Sequence, residues 1–199
     1  MQPILYERTS LTVNHVVYVL GTAGAGKTDF LNNLELYSDD QIRCRPCKVS
    51  ATSGQEIHML RVCPPSSTDC VDIEVRELGG SAAASWESFI RDRTLKDFQQ
   101  STQYSLIYIV DAASPHQLCM ASNIFHLLKH GPSGICCSWP TLVVIQKCAS
   151  PYAFTKDEVS EYLLVEHLAV GIQVIEADSW NGYGIGDIFD WILRCIQTG

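Results

Sequence analysis

The sequence predicts one α/β domain, a sheet with helices on both faces, and three observations support that prediction. Strand-like and helix-like segments alternate along the chain, which favours a sheet covered by helices. The chain has 199 residues, an ordinary size for one domain with a full core. It contains no internal repeat, low-complexity block or long linker. We therefore interpret residues 1–199 as one domain, with residues 1–13 as an N-terminal extension.

Each element of the first half is read from its apolar pattern. Residues 15–20 predict a buried strand, the glycine-rich stretch after it a turn, and residues 27–37 a helix. Residues 38–55 are polar and irregular. Residues 56–63 and 70–77 predict two strands, and the Pro-Pro-Ser-Ser stretch between them is a turn signal that suits a hairpin.

The second half continues the alternation. Residues 104–111 and 141–146 predict two further strands, the first of them rich in Ile, Tyr and Val. A helix over residues 116–129 is predicted because apolar side chains recur there at helical spacing, namely Leu118, Ala121, Phe125 and Leu128. Residues 155–167 and 185–197 predict helices on either side of a short strand at 173–177.

Composition and charge limit the possible function classes. Apolar residues make up 46% of the chain and charged residues 18%, which is typical of a globular protein. The net charge of −8 argues against a nucleic-acid partner or a polybasic membrane patch. The N-terminus lacks a signal-peptide layout and no apolar run reaches membrane-spanning length, so we expect no integral membrane segment. Gln2 in place of glycine excludes N-myristoylation.

The cysteines indicate a reducing compartment. Their number, nine, is odd and no secretory segment precedes them, so we expect most of them to be reduced and the protein to be cytoplasmic. Cys44 and Cys47 form the one Cys-x-x-Cys pair, without a second pair or histidines at ligand spacing. We therefore expect no zinc site at that pair.

The glycine-rich turn is the clearest chemical signal. Its sequence, Gly-Thr-Ala-Gly-Ala-Gly-Lys-Thr, matches G-x-x-x-x-G-K-[ST] in full and lies between a strand and a helix. Glycines let several backbone N–H groups face one point, and the helix N-terminus adds its positive end. Lysine can reach the β- and γ-phosphates there, and threonine can ligate Mg²⁺. We predict a nucleotide-phosphate site formed by Gly21, Ala23, Gly24, Ala25, Gly26, Lys27, Thr28 and Asp29.

A second landmark follows the third strand, which ends in Glu77-Leu78-Gly79-Gly80. In small GTPases this strand ends in Asp-x-x-Gly, where the acid holds a Mg²⁺-bound water and the glycine N–H contacts the γ-phosphate. The doubled glycine resembles the Arf branch, whose pattern is W-D-x-G-G-Q. In this chain Arg76, Glu77 and Ser81 stand in the places of the Trp, the Asp and the Gln.

The resemblance to the Arf-like small GTPases implies more than the residues alone show. It implies a P-loop NTPase fold, with strand order 2-3-1-4-5-6 and one antiparallel edge strand. It implies GTP or GDP with Mg²⁺, where Thr28 ligates the ion, Glu77 holds it through water and Gly80 contacts phosphate. It also implies protein effectors bound through two switches, commonly in membrane or ciliary traffic, and hence a position peripheral to membranes or at the cilium. Residues 1–12 show no obvious amphipathic helix for membrane attachment.

The guanine-reading motif departs from the family pattern. Where such GTPases have N-K-x-D, this chain has Gln146, Lys147, Cys148 and Ala149. The lysine stem can lie along the base and Gln146 can partly replace the Asn, whereas alanine offers no carboxylate. We expect this loss to cost roughly ten- to hundredfold in guanine preference, because a hydrogen bond to a charged group contributes about 1.5–3 kcal/mol.

A neighbouring loop completes the predicted base site. The resemblance places Ser179 and Trp180 where the family's loop touches the base. Asp178 precedes them, and we interpret it as a solvent-facing loop acid rather than a substitute for the missing carboxylate. The tryptophans Trp139, Trp180 and Trp191 are otherwise expected to pack in the core or in loops.

The first switch leaves one alternative open. Ser50 and Thr52 both fall in the window where a hydroxyl completes Mg²⁺ coordination, and the sequence does not decide between them. Arg43 and Arg45 flank the window and are interpreted as a solvated loop face rather than an arginine finger. No catalytic residue is assigned, because Ser81 in the glutamine position is too short to orient the attacking water.

Three functions are compatible with these residues. The favoured one is a divergent Arf-like GTP-binding switch with weak or slow GTP hydrolysis. A pseudo-GTPase that acts as a constitutive interaction module is favoured by Ala149 and Ser81 and opposed by the intact glycine turn. A P-loop kinase would need lid arginines, and the short connection at 129–140 offers no lid.

Overall fold

The structure, a computed structural model, describes residues 14–38, 50–63, 70–97, 101–130, 134–168 and 171–197. The strands are β1 (His15–Gly21), β2 (Gln55–Val62), β3 (Val71–Leu78), β4 (Gln103–Asp111), β5 (Thr141–Gln146) and β6 (Ile172–Ala177). The helices are α1 (Lys27–Ser38), α2 (Trp86–Asp97), α3 (Pro115–Lys129), α4 (Lys156–Tyr162) and α5 (Ile185–Gln197). Short 3₁₀ segments lie at Gly80–Ser85 and Val165–His167.

The six strands form one sheet in the order β2-β3-β1-β4-β5-β6. β2 pairs with β3 in the antiparallel direction, whereas all other neighbouring strands are parallel. The predicted strand order and the antiparallel edge strand are therefore confirmed. The carboxyl ends of the parallel strands meet at one edge of the sheet, where α/β proteins place their ligands.

Helices cover both faces of the sheet, and β1 shows why. All seven of its residues are buried, and successive side chains point to opposite faces. Val17 and Val19 pack with α1 and α5 in one core, while Val16 and Leu20 pack with α2, α3 and α4 in the other. Parallel strands buried on both faces are continuous apolar runs, as in this strand.

Two helices differ from the predictions. The helix predicted over 155–167 ends at Tyr162, because Leu164 takes a left-handed conformation (φ 50°) and a separate 3₁₀ turn follows. Its start is as predicted, with a Thr155–Glu158 capping box. The sequence predicts no element at residues 86–97, where the structure has helix α2. Across the described ranges, no helix combines the length and apolarity needed to cross a bilayer.

A disulfide joins Cys63 and Cys70 beyond the last residue pair of the β2–β3 hairpin. Their Cα atoms lie 4.2 Å apart because the antiparallel register places the two positions opposite each other. The sequence predicts that most cysteines are reduced, and this pair is an exception. The described free thiols are Cys119, Cys136, Cys137, Cys148 and Cys195.

Several predictions fall on parts of the chain outside the described residues. They concern the N-terminal extension at 1–13, the arginines Arg43 and Arg45, the Cys44–Cys47 pair, and the turn at 64–67.

Candidate functional site

A cleft of about 280 Å³ opens at the carboxyl edge of the sheet, beside the start of α1. One wall comes from the glycine turn and the first turn of α1, with Ala23, Gly24, Gly26, Lys27, Thr28 and Asp29. The other wall comes from distant parts of the chain, with Ser50, Thr52, Glu77, Gly80 and Ser81. The structure thus brings together most of the residues that the sequence assigned to phosphate and Mg²⁺.

The glycine turn has the geometry of an anion-binding loop. Gly24 and Gly26 take positive φ angles of 77° and 91°, which side chains other than glycine rarely adopt. The Lys27 ammonium donates to the carbonyls of Gly21 and Thr22, both at 3.0 Å. Burial lowers the pKa of Lys27, against the opposing effect of the Glu77 carboxylate. A buried cation at a helix N-terminus suits a phosphate ligand, whose negative charge would offset the burial.

Two predicted members of the turn do not line the cleft. Ala25 is fully buried and its side chain packs in the core between the sheet, α1 and α5. Its N–H donates to the Thr22 carbonyl at 3.2 Å, which closes the turn. Gly21 contributes its carbonyl to Lys27. Both residues therefore stabilise the loop through contacts on the side away from the cleft.

Three side-chain oxygens converge on one side of the cleft. The hydroxyls of Thr28 and Thr52 donate to Oε1 of Glu77 at 2.9 and 3.1 Å, and lie 3.2 Å from each other. Glu77 is 1% exposed, and burial raises its pKa although both hydroxyls and the charge of Lys27 favour the ionised form. Hard oxygen donors beside a phosphate-binding loop are the set that Mg²⁺ prefers. Ser50 lines the same cleft but shares none of these hydrogen bonds, so the geometry favours Thr52.

The segment after β3 closes against the glycine turn. A Cβ at Gly80 would lie 2.3 Å from the backbone nitrogen of Ala23, so only glycine fits this approach. The Trp86 indole N–H donates to the Gly79 carbonyl at 3.1 Å, which holds the segment in place. Ser81 follows Gly80 in the chain, lines the cleft and is exposed.

The predicted base-reading residues form a second group, beside the cleft rather than in its lining. Gln146 and Ser179 are buried and share two hydrogen bonds, from Gln146 Nε2 to Ser179 Oγ (2.5 Å) and from Ser179 N to Gln146 Oε1 (3.2 Å). The Lys147 ammonium contacts Asp111 Oδ2 at 2.5 Å and the Gly24 carbonyl at 3.1 Å. This lysine thus connects the base side to the phosphate loop. Ala149 lies exposed in the turn that follows β5.

Asp178 corrects the expectation of a solvent-facing acid. The residue is only 9% exposed, and its carboxylate oxygens accept hydrogen bonds from residues of its own loop. Oδ1 accepts from the backbone N–H groups of Trp180 (3.0 Å) and Asn181 (3.4 Å), and Oδ2 accepts from the Asn181 amide (2.9 Å). Aspartate commonly stabilises turns in this way. Trp180 is exposed, so of the two expected positions, in the core or in a loop, the structure gives it the loop position.

Arg76 is a structural residue whose partners the sequence did not indicate. Its Nη1 donates to Tyr18 Oη and to Asp97 Oδ2, both at 2.9 Å, and its Nε donates to Glu74. The guanidinium also lies 5.5 Å from the centre of the Tyr18 ring. The sequence does place a charged residue inside a predicted strand. Because buried charges require partners, that position indicates an ion pair or hydrogen bonds without identifying the partners.

These features define a nucleotide-binding domain of the small-GTPase fold. The model of the ADP-ribosylation factor (Arf) family matches residues 3–196, and the chain belongs to that family. A similar curated protein is ADP-ribosylation factor-like protein 8b of Arabidopsis thaliana, 26% identical over 183 residues that cover 88% of this chain and 84% of the relative.

A solved structure supports the fold. The Arl6 BBS3 small GTPase from Trypanosoma brucei, with the nucleotide analogue GppNp bound, matches with a TM-score of 0.69 over 94% of this chain and 99% of that chain. The two sequences are 17% identical, so this likeness concerns the fold alone.

Proposed function

We propose that this chain is a guanine-nucleotide-binding switch of the Arf-like type. The observation that carries the proposal is the convergence of Thr28, Thr52 and Glu77 on one side of the phosphate cleft. These residues come from α1, from the segment before β2 and from β3. An ion held by both hydroxyls would tie the Thr52 segment to the phosphate loop, so its position would depend on the nucleotide.

Separate groups of residues would bind the phosphates and the Mg²⁺ ion. The phosphates would lie on the backbone N–H groups between Gly24 and Thr28, with Lys27 as the charged donor. Mg²⁺ would take the hydroxyls of Thr28 and Thr52, with Glu77 on an ion-bound water. When bound, the ion neutralises charge on the β- and γ-phosphates.

Base recognition and hydrolysis are both proposed to be weak. Gln146, Lys147, Ser179 and Trp180 would form the base side, without a carboxylate at Ala149. A missing acid reduces guanine selectivity, because the ring N–H and exocyclic amine lose a charged acceptor. No described glutamine lines the cleft at the Ser81 position, so the water that attacks the γ-phosphate would lack its usual orienting group.

The cellular role is proposed from the family. An Arf-like switch recruits protein effectors through its two switch segments, in the cytoplasm and at the periphery of membranes or the cilium. Within the family, the string from Arg76 to Gly80 resembles ADP-ribosylation factor-like protein 16. The Arl6 structure from Trypanosoma brucei was solved with the nucleotide analogue GppNp bound, and we propose that this chain also has a nucleotide-bound state.

A second candidate is a pseudo-GTPase that binds partners constitutively. It is favoured by the internal pairing of the base-side groups, since Gln146 bonds Ser179 and Lys147 pairs with Asp111. Groups that satisfy each other in this way stabilise the domain without a ligand.

Titration with fluorescent GTP, GDP and ATP, with and without Mg²⁺, tests the proposal. We expect Mg²⁺-dependent binding of guanine nucleotides that Lys27→Ala abolishes, because the lysine is the charged phosphate donor. The exposed Lys156→Ala variant is the matched control and should bind as the parent does. Preference for ATP would favour a kinase, and absence of binding by folded protein would favour the pseudo-GTPase.

A further inference from the structure

Three side chains beside the cleft, those of Glu56, His58 and Glu77, form a cluster of which the proposed function uses only Glu77. Glu56 and His58 lie two residues apart on β2, so both point to the same face of the sheet. Glu77 lies directly opposite Glu56 in the antiparallel register. One ligand atom from each of the three residues lies within 4.8 Å of the other two.

Two buried atoms of this cluster face each other without a hydrogen bond. Oε1 of Glu77 accepts both threonine hydroxyls, while Oε2 has no partner among the described residues. The same is true of His58 Nε2, which lies 3.9 Å from that Oε2. The Glu77 side chain is 1% exposed, and an unsatisfied buried polar group costs about 1–3 kcal/mol. Such a pair of atoms indicates a ligand between them.

The orientation of His58 is set by a fourth residue. Its Nδ1 lies 2.7 Å from a carboxylate oxygen of Glu35 on α1. If Nδ1 carries the proton and donates to Glu35, the Nε2 lone pair points toward Glu77. Metal-binding histidines are held in this way, with the other ring nitrogen donating to a carboxylate.

Charge also favours a cation at this position. Three carboxylates, from Glu35, Glu56 and Glu77, surround one imidazole. Glu56 and Glu77 lie directly opposite each other in the antiparallel register, and like charges in that arrangement repel. A divalent cation would remove that repulsion.

We propose that Glu56, His58 and Glu77 bind a divalent transition metal of the zinc class, with Glu35 as the positioning residue for the imidazole. An imidazole ligand selects zinc-like ions over Mg²⁺, which prefers oxygen alone. Zinc–nitrogen and zinc–oxygen distances are about 2.0–2.2 Å, so the ligand atoms, which lie within 4.8 Å of one another, would have to draw closer together around the ion. Glu77 would give Oε2 to this site and Oε1 to the threonine side.

The rival explanation is a protonated His58 between Glu35 and Glu77. That arrangement makes one hydrogen bond, to Glu35, and leaves the 3.9 Å gap to Glu77 open. It predicts no metal binding that depends on both β2 residues, so a metal titration separates the two explanations.

Co²⁺ is the probe, because its visible spectrum reports its ligands. The full-length protein is stripped with a chelator, matched for nucleotide content across variants, and titrated by calorimetry and absorption. We expect one Co²⁺ equivalent with nitrogen and oxygen ligation that His58→Ala and Glu56→Gln both lose. Glu35→Gln should weaken binding by about 10–100-fold, as loss of an outer carboxylate does.

Controls separate this site from adventitious binding. His126 also has a buried Nε2 without a hydrogen-bond partner in the described part of the chain, but no metal cluster there includes it, so His126→Ala should bind like the parent. Binding to the cysteines would show thiolate charge-transfer bands and survive both β2 substitutions. Glu56 is exposed, so Glu56→Gln keeps the test valid if His58→Ala does not fold. Unchanged binding in both variants, or no binding by the parent, would overturn the proposal.

Discussion

Lys147 and Asp111 form an ion pair at the carboxyl edge of the sheet, with the ammonium 2.5 Å from Oδ2. The aspartate is buried and also accepts from Ala113 N (2.9 Å) and Ser114 Oγ (3.0 Å). The lysine is 46% exposed and also donates to the Gly24 carbonyl. Three loops that follow β1, β4 and β5 are therefore connected through one pair of side chains.

Asp111→Ala should destabilise the domain more than Lys147→Ala does. Removal of the buried carboxylate leaves turn donors unsatisfied, which costs about 1–3 kcal/mol in the free energy of unfolding. Loss of the half-exposed lysine should cost about 0–1 kcal/mol, because solvent screens such pairs. Urea unfolding of the two variants gives the comparison. Equal losses would show that the ion pair, rather than the turn, is the main contribution of Asp111.

Thr52→Ala should weaken Mg²⁺-dependent binding of a non-hydrolysable GTP analogue by about tenfold, which corresponds to about 1.4 kcal/mol. The reason is the position of its hydroxyl, 3.2 Å from that of Thr28. Ser50→Ala is the matched control and should change the affinity little, because Ser50 shares none of these bonds. GDP binding should change less in both variants. A larger effect of Ser50→Ala would assign the ion to the other hydroxyl.

GTP and ITP should bind almost equally, because they differ only in the exocyclic amine that the absent carboxylate would read. Ala149→Asp should raise the GTP-to-ITP affinity ratio by about tenfold or more. Competition titrations against one fluorescent nucleotide measure both ratios. Hundredfold selectivity in the unaltered protein would show that another residue reads the base, and Asp178 would be a weak suspect because its loop uses its oxygens.

Single-turnover GTP cleavage should proceed at or below the intrinsic rate of Ras, on the order of 10⁻⁴ per second. Ser81 lies at the cleft wall, and its hydroxyl is too short to orient the attacking water. Ser81→Gln should raise the rate only when a partner supplies an arginine. Rapid cleavage by the parent, lost on substitution of Glu77, would show that a different group positions the water.

Reduction of the Cys63–Cys70 bond should lower the free energy of unfolding by roughly 2–3 kcal/mol, on the chain-entropy estimate for a short loop. The bond closes a segment with a sequence separation of 7. Urea unfolding with and without reductant measures the change, and mass spectrometry of alkylated thiols verifies the redox state. Cys119→Ser, which alters an exposed free thiol, is the control. An unfolding curve that reductant does not shift would contradict this prediction.

The sheet could be predicted from the sequence because its central strands are continuous apolar runs. β1 and β5 bury every side chain, and a run of that kind between turn signals has few other interpretations. Helix α2 could not be predicted in this way. Its apolar residues at helical spacing are confined to the first turn, with Trp86, Phe89 and Ile90, and the later Leu95 is exposed, so the stripe is too short to predict a helix.

The candidate site could be predicted from the sequence where its residues lie close together along the chain. The glycine turn needs only eight consecutive residues, and the structure places it at the cleft. The choice of Thr52 over Ser50 depends on Glu77, 25 positions further along, and no local pattern contains that information. The burial of Asp178 and the partners of Arg76 likewise depend on distant contacts. The alignment of Cys63 with Cys70 depends on the hairpin register.

The Arg76 contacts have a mechanical consequence for the proposed switch. Arg76 precedes Glu77 on β3, and its guanidinium bonds Tyr18 of β1 and Asp97 of α2. A slip of β3 by one residue would turn this charge to the opposite face of the sheet. Breaking a buried ion pair costs about 3–5 kcal/mol. These contacts hold β3 against sliding, so in the proposed switch a displacement on nucleotide exchange would fall to the segments on either side of β3, the Thr52 segment and the turn that begins at Gly80.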